Sequence, residues 1–196
     1  MIELSPAERY AAAKKRRGYP VLESFRASQR FDLDSFQISA CEVVESDKSV
    51  LVAAPTGAGK TIIAEFAIYR AMQLDGPKVF YTAPMKALSN QKFQELVAEY
   101  GPEAVGLLTG DTNVNASARI VVMTTEVLRN MLYAKSDLLK NLSTVVMDEV
   151  HFLGDRFRGA VWEEVIIHLP EDVRMVSLSA TVSNAEEFGD WLQAVR

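Results

Sequence analysis

The sequence predicts an α/β fold in which a mostly parallel β-sheet is covered by helices on both faces. Short β-branched runs alternate with longer helical segments along most of the chain. These runs are mainly apolar and do not alternate with polar residues, which is typical of strands buried on both faces of a parallel sheet. One run leads directly into a glycine-rich loop that opens a helix, and parallel α/β domains bind ligands at such strand ends.

The N-terminal residues predict a helical extension, which we assign to residues 1–30. The segment Ser5–Glu8 combines an N-cap serine, a first-turn proline and a capping-box glutamate, and Gly18 predicts the end of this helix. Residues 19–33 are of mixed composition and contain a proline, so they predict a connection. The main domain occupies residues 31–196.

The main domain opens with a helix and continues as alternating strands and helices. From Asp34 the spacing of Phe36, Ala40 and Val43–Val44 predicts a helix that faces a core. The predicted strands are Ser49–Ala54, Lys78–Ala83, Ala104–Leu108, Ala118–Met123, Thr144–Asp148 and Arg174–Ser179. The predicted helices are Thr61–Leu74, Ala87–Tyr100, Glu126–Tyr133, Ala160–Leu169 and Ala185–Val195, the last after the cap signature Ser183-x-x-Glu186.

Composition and cysteine content exclude several classes of protein. With 196 residues, 48% of them hydrophobic, the chain is long and apolar enough for a sizeable core. No apolar run is long enough to cross a bilayer, and the N-terminus lacks the layout of a signal peptide. Because Cys41 is the only cysteine, neither an internal disulfide nor a Cys/His zinc cluster is expected. We therefore expect a cytoplasmic protein that does not contact membranes.

Charge is unevenly distributed along the chain. The net charge of −5 argues against a surface that is basic all over, yet residues 1–30 carry seven Lys/Arg against three Glu. Lys14–Arg17 lie within this basic segment. They are interpreted either as a nucleic-acid contact or as cations at a helix C-terminus, and the second is favoured because one short run is weak evidence.

The glycine-rich segment Ala54–Thr61 has the composition and context of a phosphate-binding loop. It follows an apolar strand and opens a helix, and Gly57 and Gly59 allow backbone N–H groups to approach phosphate oxygens. The positive end of the helix dipole adds to this attraction. Lys60 can reach the β- and γ-phosphates, and the Thr61 hydroxyl can ligate Mg²⁺. The whole loop, Pro55, Thr56, Gly57, Ala58, Gly59, Lys60 and Thr61, is therefore predicted to bind a nucleoside triphosphate, with ATP the expected nucleotide.

Two acids complete the predicted nucleotide site. Asp148 and Glu149 follow the apolar run Thr144–Met147, so a buried strand delivers both carboxylates at its end. Asp148 is placed to hold Mg²⁺ and Glu149 to orient or deprotonate the attacking water. We predict Lys60, Asp148 and Glu149 as the catalytic residues.

Two other catalytic interpretations are disfavoured. Glu164 and His168 are spaced i,i+4 on one predicted helix, but no third metal ligand lies nearby in the sequence. Ser177 and Ser179 lack the Gly-x-Ser-x-Gly elbow of serine hydrolases.

The motifs together resemble those of the DExH-box helicases of superfamily two. Asp148-Glu149-Val150-His151 matches the DEVH form of the box that names this family. Further matches in order are Phe31–Gln37 (Q-type motif), Thr82–Lys92 (motif Ia), Thr109–Asp111 and Thr124–Met131 (two further strand-contacting motifs) and Ser179–Thr181 (motif III). Gly154–Glu164 is similar to the superkiller-type (Ski-like) RNA helicases, in particular to their actinobacterial branch. The resemblance runs from about Phe31 to the C-terminus and implies a RecA-like domain.

The resemblance also implies roles for individual residues. Phe31 would stack on adenine and Gln37 would hydrogen-bond to its edge. The alternatives without a binding role are an aromatic residue that caps a helix and a solvent-exposed glutamine. His151, Ser179 and Thr181 would couple nucleotide state to the rest of the motor, or simply cap a loop. The nucleic-acid contacts would come from Pro84, Lys86, Gly110, Thr124 and Thr125. Lys86 could instead be a solvated lysine, and the threonines could be helix N-caps.

The implied activity is that of an ATP- and Mg²⁺-dependent RNA helicase acting on single-stranded RNA. DNA stays open as the alternative, because contacts to backbone phosphates do not read the 2′-OH. A nucleotide-switched binding module is a third interpretation. The family's motor needs a second RecA-like domain, and only fifteen residues follow Thr181. We expect this chain to be the first motor domain, to hydrolyse ATP very slowly alone and to be unable to unwind a duplex. The sequence leaves its oligomeric state open.

Overall fold

The computed structural model describes residues 18–154, 159–180 and 185–195. The helices of these residues are α1 (Pro20–Ser28), α2 (Ser35–Glu45), α3 (Thr61–Met72), α4 (Lys86–Tyr100), α5 (Thr125–Tyr133), α6 (Gly159–His168) and α7 (Ala185–Val195). The strands are β1 (Val50–Ala53), β2 (Lys78–Ala83), β3 (Val105–Leu108), β4 (Asn113–Val114), β5 (Ile120–Thr124), β6 (Leu142–Met147) and β7 (Arg174–Ser179). Two short 3-10 helices, Asp137–Leu139 and Val150–Gly154, lie in connections.

The strands form one sheet in the order β1-β7-β6-β2-β5-β3-β4. Every pairing is parallel except that of β3 with β4. The predicted α/β class and the mostly parallel sheet are therefore confirmed. β4 was not predicted, because two exposed residues are too short to show a periodic pattern.

Helices cover both faces of the sheet, as the unbroken apolar strands predict. Alternate strand residues point to opposite faces, so Tyr81 joins one buried cluster while its neighbour Phe80 joins the other. The first cluster also contains apolar residues of α1 to α4, and the second contains those of α5 and α6 with α7 packed against it. The sheet thus lies between two hydrophobic layers.

The expectation of a connection at residues 19–33 is wrong for residues 20–28, which form α1. Leu22 and Phe25 of this helix are buried, and the Phe25 ring lies 5.3 Å from that of Phe66. The carboxylate of Glu45 accepts the N–H groups of Val21 at 3.0 Å and Leu22 at 2.8 Å. The first turn of α1 is therefore capped by a residue that is distant in sequence.

The predicted helix between Ser5 and Gly18 lies outside the described residues, and so does Ser183 of the cap signature before α7. The division of the chain at residue 30 consequently stays a prediction, although α1 itself packs on the main domain. No helix of the described residues is long and apolar enough to span a membrane.

Candidate functional site

The predicted site residues gather at one edge of the sheet, where the parallel strands end. β1 and β7 are in register at Ala53 and Ser179, and β2 and β6 at Thr82 and Met147. The loops that follow these strands therefore leave the sheet side by side. The main-chain N–H of Ala54 donates to the carbonyl of Ser179 at 3.2 Å, which joins two of these loops directly.

The glycine-rich loop has the backbone conformation that phosphate binding requires. Gly57 and Gly59 have φ values of 84° and 77°, in the left-handed region that other residues rarely adopt. The N–H of Ala58 donates to the carbonyl of Pro55 at 3.1 Å and closes a turn, after which α3 begins at Thr61. The main-chain N–H groups of this loop are thus adjacent to those of the first turn of α3, and both sets are available to an anion.

The ammonium group of Lys60 lies within this loop. Its Nζ donates to the carbonyl oxygens of Ala54 at 2.7 Å and Pro55 at 2.9 Å. An ammonium group carries three donors, so one remains for a phosphate oxygen in this position. The structure therefore fixes the location of the positive charge as well as the shape of the loop.

Gln37 braces the loop from the side. Only 5% of the residue is exposed, which contradicts the alternative of a solvent-exposed glutamine. Its Oε1 accepts the N–H of Asp34 at 2.8 Å, as part of the capping box of α2, and its Nε2 donates to the carbonyl of Gly59 at 3.0 Å. Both ends of the amide are thus bonded to the main chain, and recognition of an adenine edge by Gln37 stays a prediction.

Phe31 offers an open aromatic face in the connection that leads into α2. Its side chain is 58% exposed and lines a shallow pocket of about 200 Å³. The other residues of this pocket come from α1 and the connection to α2: Glu23, Arg26, Ala27, Asp32 and Leu33. The contribution of α1 was missed because residues 20–28 were expected to form a connection. An exposed ring beside polar groups is suited to stacking on a purine.

The two acids after β6 adopt different conformations. Asp148 is half-buried and its two carboxylate oxygens accept from the Tyr81 hydroxyl and from the N–H of Glu149, at 2.5 Å and 2.9 Å. Glu149 has a φ of 55°, which is strained for a residue with a Cβ. The two carboxylates also have different partners, because Glu149 Oε2 lies 3.2 Å from His151 Nδ1.

His151 lies between Glu149 and the loop that follows β7. Its Nδ1 is 3.2 Å from Glu149 Oε2 and 3.4 Å from the main-chain nitrogen of Ala180. The same nitrogen faces an acceptor and a donor, so the imidazole tautomer decides which of the two hydrogen bonds forms. The sequence spacing alone gave His151 no such position.

Ser179 belongs to the same group of contacts. Its side chain is buried, and its hydroxyl donates to the carbonyl of Ala180 at 2.8 Å. Thr181 lies outside the described residues. The described part of motif III thus contacts the phosphate loop through Ser179 and the DEVH box through Ala180.

A second pocket, of about 410 Å³, contains most of the predicted nucleic-acid contacts. Pro84, Lys86, Gly110 and Thr124 all line it, together with Met85, Glu126, Val127 and Asn130. The structure therefore brings together four predicted residues from three separate motifs. Lys86 Nζ forms an ion pair with Asp111 at 2.9 Å, and this lysine holds the pKa of the Asp111 carboxyl below its ordinary value.

Thr125 is placed differently from its neighbour Thr124. It is 1% exposed, and its hydroxyl has no hydrogen-bond partner among the described residues. Thr124 occupies the N-cap position of α5, without a side-chain cap bond. Thr125 is therefore not the N-cap that was expected as its alternative role, and it does not line the second pocket.

The oxygen groups at the nucleotide site fit a magnesium ion. Thr61 offers an exposed hydroxyl at the start of α3, and this helix packs on β6, which ends next to Asp148. Mg²⁺ prefers oxygen ligands and is commonly held by one or two protein groups plus phosphates and water. By contrast, no group of three metal-ligating side chains occurs in the described residues, and His168 Nδ1 contacts the main-chain oxygen of Glu164. The disfavoured Glu164–His168 metal site finds no support in this geometry.

Comparison with known proteins identifies the family. The family model for the DEAD/DEAH box helicases matches residues 34–188. This chain belongs to that family. It is 64% identical over 175 residues to "Probable helicase HelY" of Mycobacterium leprae, a match that covers 89% of this chain and 19% of that protein.

The more distant relatives agree. The chain is 48% identical over 165 residues to "ATP-dependent RNA helicase mtr4" of Schizosaccharomyces pombe, covering 84% of this chain and 14% of that protein. It is 49% identical over 162 residues to "Antiviral helicase SKI2" of Saccharomyces cerevisiae, covering 83% and 12%. The resemblance to Ski-like helicases is therefore confirmed, and the chain spans less than a fifth of the length of these relatives.

A solved structure shows the same fold. The helicase MrfA bound to DNA and AMPPNP superimposes with a TM-score of 0.74 at 25% sequence identity. The match covers 89% of this chain and 28% of that protein. The match confirms that this chain has the fold of a helicase domain.

Proposed function

We propose that this chain is the ATP-binding domain of an ATP-dependent RNA helicase, which couples ATP hydrolysis to single-strand translocation and duplex unwinding in the full-length protein. One observation carries the proposal. The phosphate loop, the DEVH box and the loop after β7 are joined by hydrogen bonds, through Ser179 to the first and through Ala180 to the second. Through such hydrogen bonds, a change at the phosphates can alter the conformation of the loop after β7, which a motor requires to couple hydrolysis to movement.

The nucleotide would bind with its phosphates on the loop and its base near α1. Backbone N–H groups around Gly57 and Gly59 and the ammonium of Lys60 would hold the phosphate oxygens. Thr61 and Asp148 would hold Mg²⁺, which neutralises charge on the β- and γ-phosphates when bound. The exposed face of Phe31 would stack on the base, because it is an accessible aromatic surface in the pocket between α1 and the connection to α2.

Glu149 is the residue we assign to the attacking water. Its carboxylate contacts His151, whereas that of Asp148 is bound by Tyr81 and by the N–H of Glu149. The contact of Glu149 with His151 would connect water activation to Ala180 and the loop after β7. His151 Nδ1 can hydrogen-bond either to the Glu149 carboxylate or to the N–H of Ala180, but not to both at once. The conformations of the DEVH box and of the loop after β7 would therefore be coupled.

The pocket between α4 and α5 would hold the backbone of a single strand. Lys86 supplies a positive charge and Gly110 and Thr124 supply small groups next to main-chain donors. RNA is the proposed substrate because the relatives named above include an RNA helicase. DNA is the second candidate, since MrfA is described as bound to DNA and phosphate contacts do not distinguish the two polymers.

The partner required for turnover is a second RecA-like domain in the full-length chain. In this family's motors it supplies arginines that stabilise charge on the transferred phosphoryl group, an effect worth about 10³-fold or more in rate. This chain alone would then bind nucleotide weakly and hydrolyse it very slowly. Robust RNA-stimulated ATPase activity from residues 1–196 would refute this part of the proposal.

The decisive experiment uses the full-length protein that contains this domain. ATP hydrolysis and strand displacement are measured with single-stranded RNA, single-stranded DNA and matched duplexes. We expect RNA to stimulate hydrolysis, and Glu149→Gln to abolish turnover while preserving nucleotide binding. Stimulation by DNA alone would favour the second candidate. Nucleotide-dependent binding of a strand without any displaced strand would instead identify a switch module.

A further inference from the structure

A buried tyrosine contacts the carboxylate that we assign to magnesium. Tyr81 lies on β2 and is 1% exposed, and its hydroxyl is 2.5 Å from Asp148 Oδ2. The main chains of the two strands hold this pair together, because the N–H of Asp148 donates to the carbonyl of Thr82 at 3.0 Å. The contact therefore joins two adjacent strands at the point where the nucleotide site begins.

The phenol can only donate in this hydrogen bond. The phenol hydroxyl carries the proton that this contact needs, whereas an ionised carboxylate has only acceptor oxygens. A hydrogen bond from a neutral donor to a charged acceptor is stronger than one between neutral groups.

Both oxygens of Asp148 are thus occupied by fixed donors. Oδ2 accepts from Tyr81, and Oδ1 accepts from the N–H of Glu149 at 2.9 Å. The ring of Tyr81 is itself held in the apolar layer beneath α3 and α4, with Lys92 Nζ 5.7 Å from its centroid. The plane of the carboxylate is therefore set by groups that cannot turn with it.

We propose that Tyr81 is a positioning residue, which orients the Asp148 carboxylate toward nucleotide-bound Mg²⁺. The inference rests on the proposed function, which assigns the metal to Asp148. Each carboxylate oxygen has a second lone pair, which the two fixed donors leave available to a metal or its bound water. Without the phenol, Oδ2 loses its partner and the carboxylate is free to rotate, so that its alignment with the metal must be regained at each binding event.

The test compares nucleotide binding with and without the metal. Binding of ADP to the chain is measured by calorimetry in Mg²⁺ and again in EDTA, for the wild type and for Tyr81→Phe. We expect Tyr81→Phe to weaken binding about tenfold in Mg²⁺, the usual effect of removing a group that orients a metal ligand, and to leave binding in EDTA unchanged. Tyr69→Phe is the matched control, because Tyr69 packs on the same apolar layer against Phe25 and should change neither value.

A double-mutant cycle separates positioning from general packing. In an Asp148→Ala background, Tyr81→Phe should have no further effect on binding in Mg²⁺. If Tyr81→Phe weakens binding equally in Mg²⁺ and in EDTA, the role of Tyr81 is overturned. The same holds if wild-type binding depends on Mg²⁺ and Tyr81→Phe leaves the affinity in Mg²⁺ unchanged. Both outcomes leave the metal assignment of Asp148 intact. A wild type whose affinity does not respond to Mg²⁺ would remove the metal assignment of Asp148 and the role of Tyr81 with it.

A metal-free measurement gives an independent readout. In EDTA the urea midpoint of unfolding should fall for Tyr81→Phe in the wild-type background, because Asp148 loses a hydrogen-bond donor. The same substitution should leave the midpoint unchanged or raise it in Asp148→Ala, where the buried hydroxyl has already lost its acceptor. Equal decreases in both backgrounds would show that the phenol acts through packing and would overturn the proposal.

Discussion

Gly59 is the position at which a single added methyl group should reveal how the phosphate loop is braced. A Cβ at this residue would lie 2.6 Å from Gln37 Nε2, well inside van der Waals contact, and the φ of 77° is unfavourable for alanine. Gly57 has a similar φ of 84°, but a Cβ there would meet nothing within 4 Å. The two glycines therefore form a matched pair that differs in the contact with Gln37.

The expected magnitudes follow from this difference. An L-residue in the left-handed region costs about 1–2 kcal/mol, and replacing glycine recovers about 0.4–1 kcal/mol from the unfolded chain. Gly57→Ala should thus destabilise by about 0–1.6 kcal/mol. Gly59→Ala must also displace the Gln37 amide from its bonds to Gly59 and Asp34, each worth about 0.5–1.5 kcal/mol. Its cost should therefore exceed that of Gly57→Ala by about 1–3 kcal/mol.

Urea unfolding followed by circular dichroism, without nucleotide, measures these free energies. The unfolded-state effect is the same for both substitutions, so it cancels in the comparison. In a Gln37→Ala background, Gly59→Ala should cost no more than Gly57→Ala. Equal destabilisation by the two substitutions in the wild type, within about 0.5 kcal/mol, would refute the brace assigned to Gln37.

Three further predictions concern other parts of the domain. Glu149→Gly should raise the free energy of unfolding by about 0.5–1 kcal/mol, because glycine tolerates the positive φ. An unchanged or lower free energy in urea unfolding would contradict strain at this turn. Asp111→Asn should increase the affinity of the full-length protein for a labelled single strand about threefold at low salt, since Lys86 no longer pairs with a competing carboxylate. Weaker binding, measured by fluorescence anisotropy, would mean that Asp111 instead holds Lys86 in place. Glu45→Ala should lower the free energy of unfolding by about 1–2 kcal/mol, because the first turn of α1 loses its cap. Glu45→Gln should lower it less, since one acceptor oxygen remains. Equal decreases for the two variants in urea unfolding would argue against capping.

The sheet and the conformation of the glycine-rich loop between β1 and α3 were predictable because their signals are local. Buried parallel strands appear in the sequence as unbroken apolar runs, and the loop combines glycines, Lys60 and Thr61 within eight positions. The strand that ends at Asp148 required no long-range information either. Residue type and order were sufficient for these elements because each is specified by its own neighbours in the chain.

The features that were missed depend on contacts between distant residues. α1 lacks a local N-cap because Glu45 provides it from α2, so residues 19–33 resembled a connection. Tyr81 has the pattern of an ordinary strand residue, and its contact with Asp148 follows only from the pairing of β2 with β6. Thr124 and Thr125 are identical in type and both are buried, and only the position at which α5 begins explains why Thr124 lines the second pocket and Thr125 does not.

The hydrogen bond between the main chains of Ala54 and Ser179 bears on how such a domain can diverge. It uses no side-chain atom, so nearly any residue at either position preserves it, and proline at position 54 is the substitution that removes its donor. The alanine at position 54, where the general pattern of the loop has glycine, keeps this donor. The connection between the two loops is therefore insensitive to the side chains at positions 54 and 179.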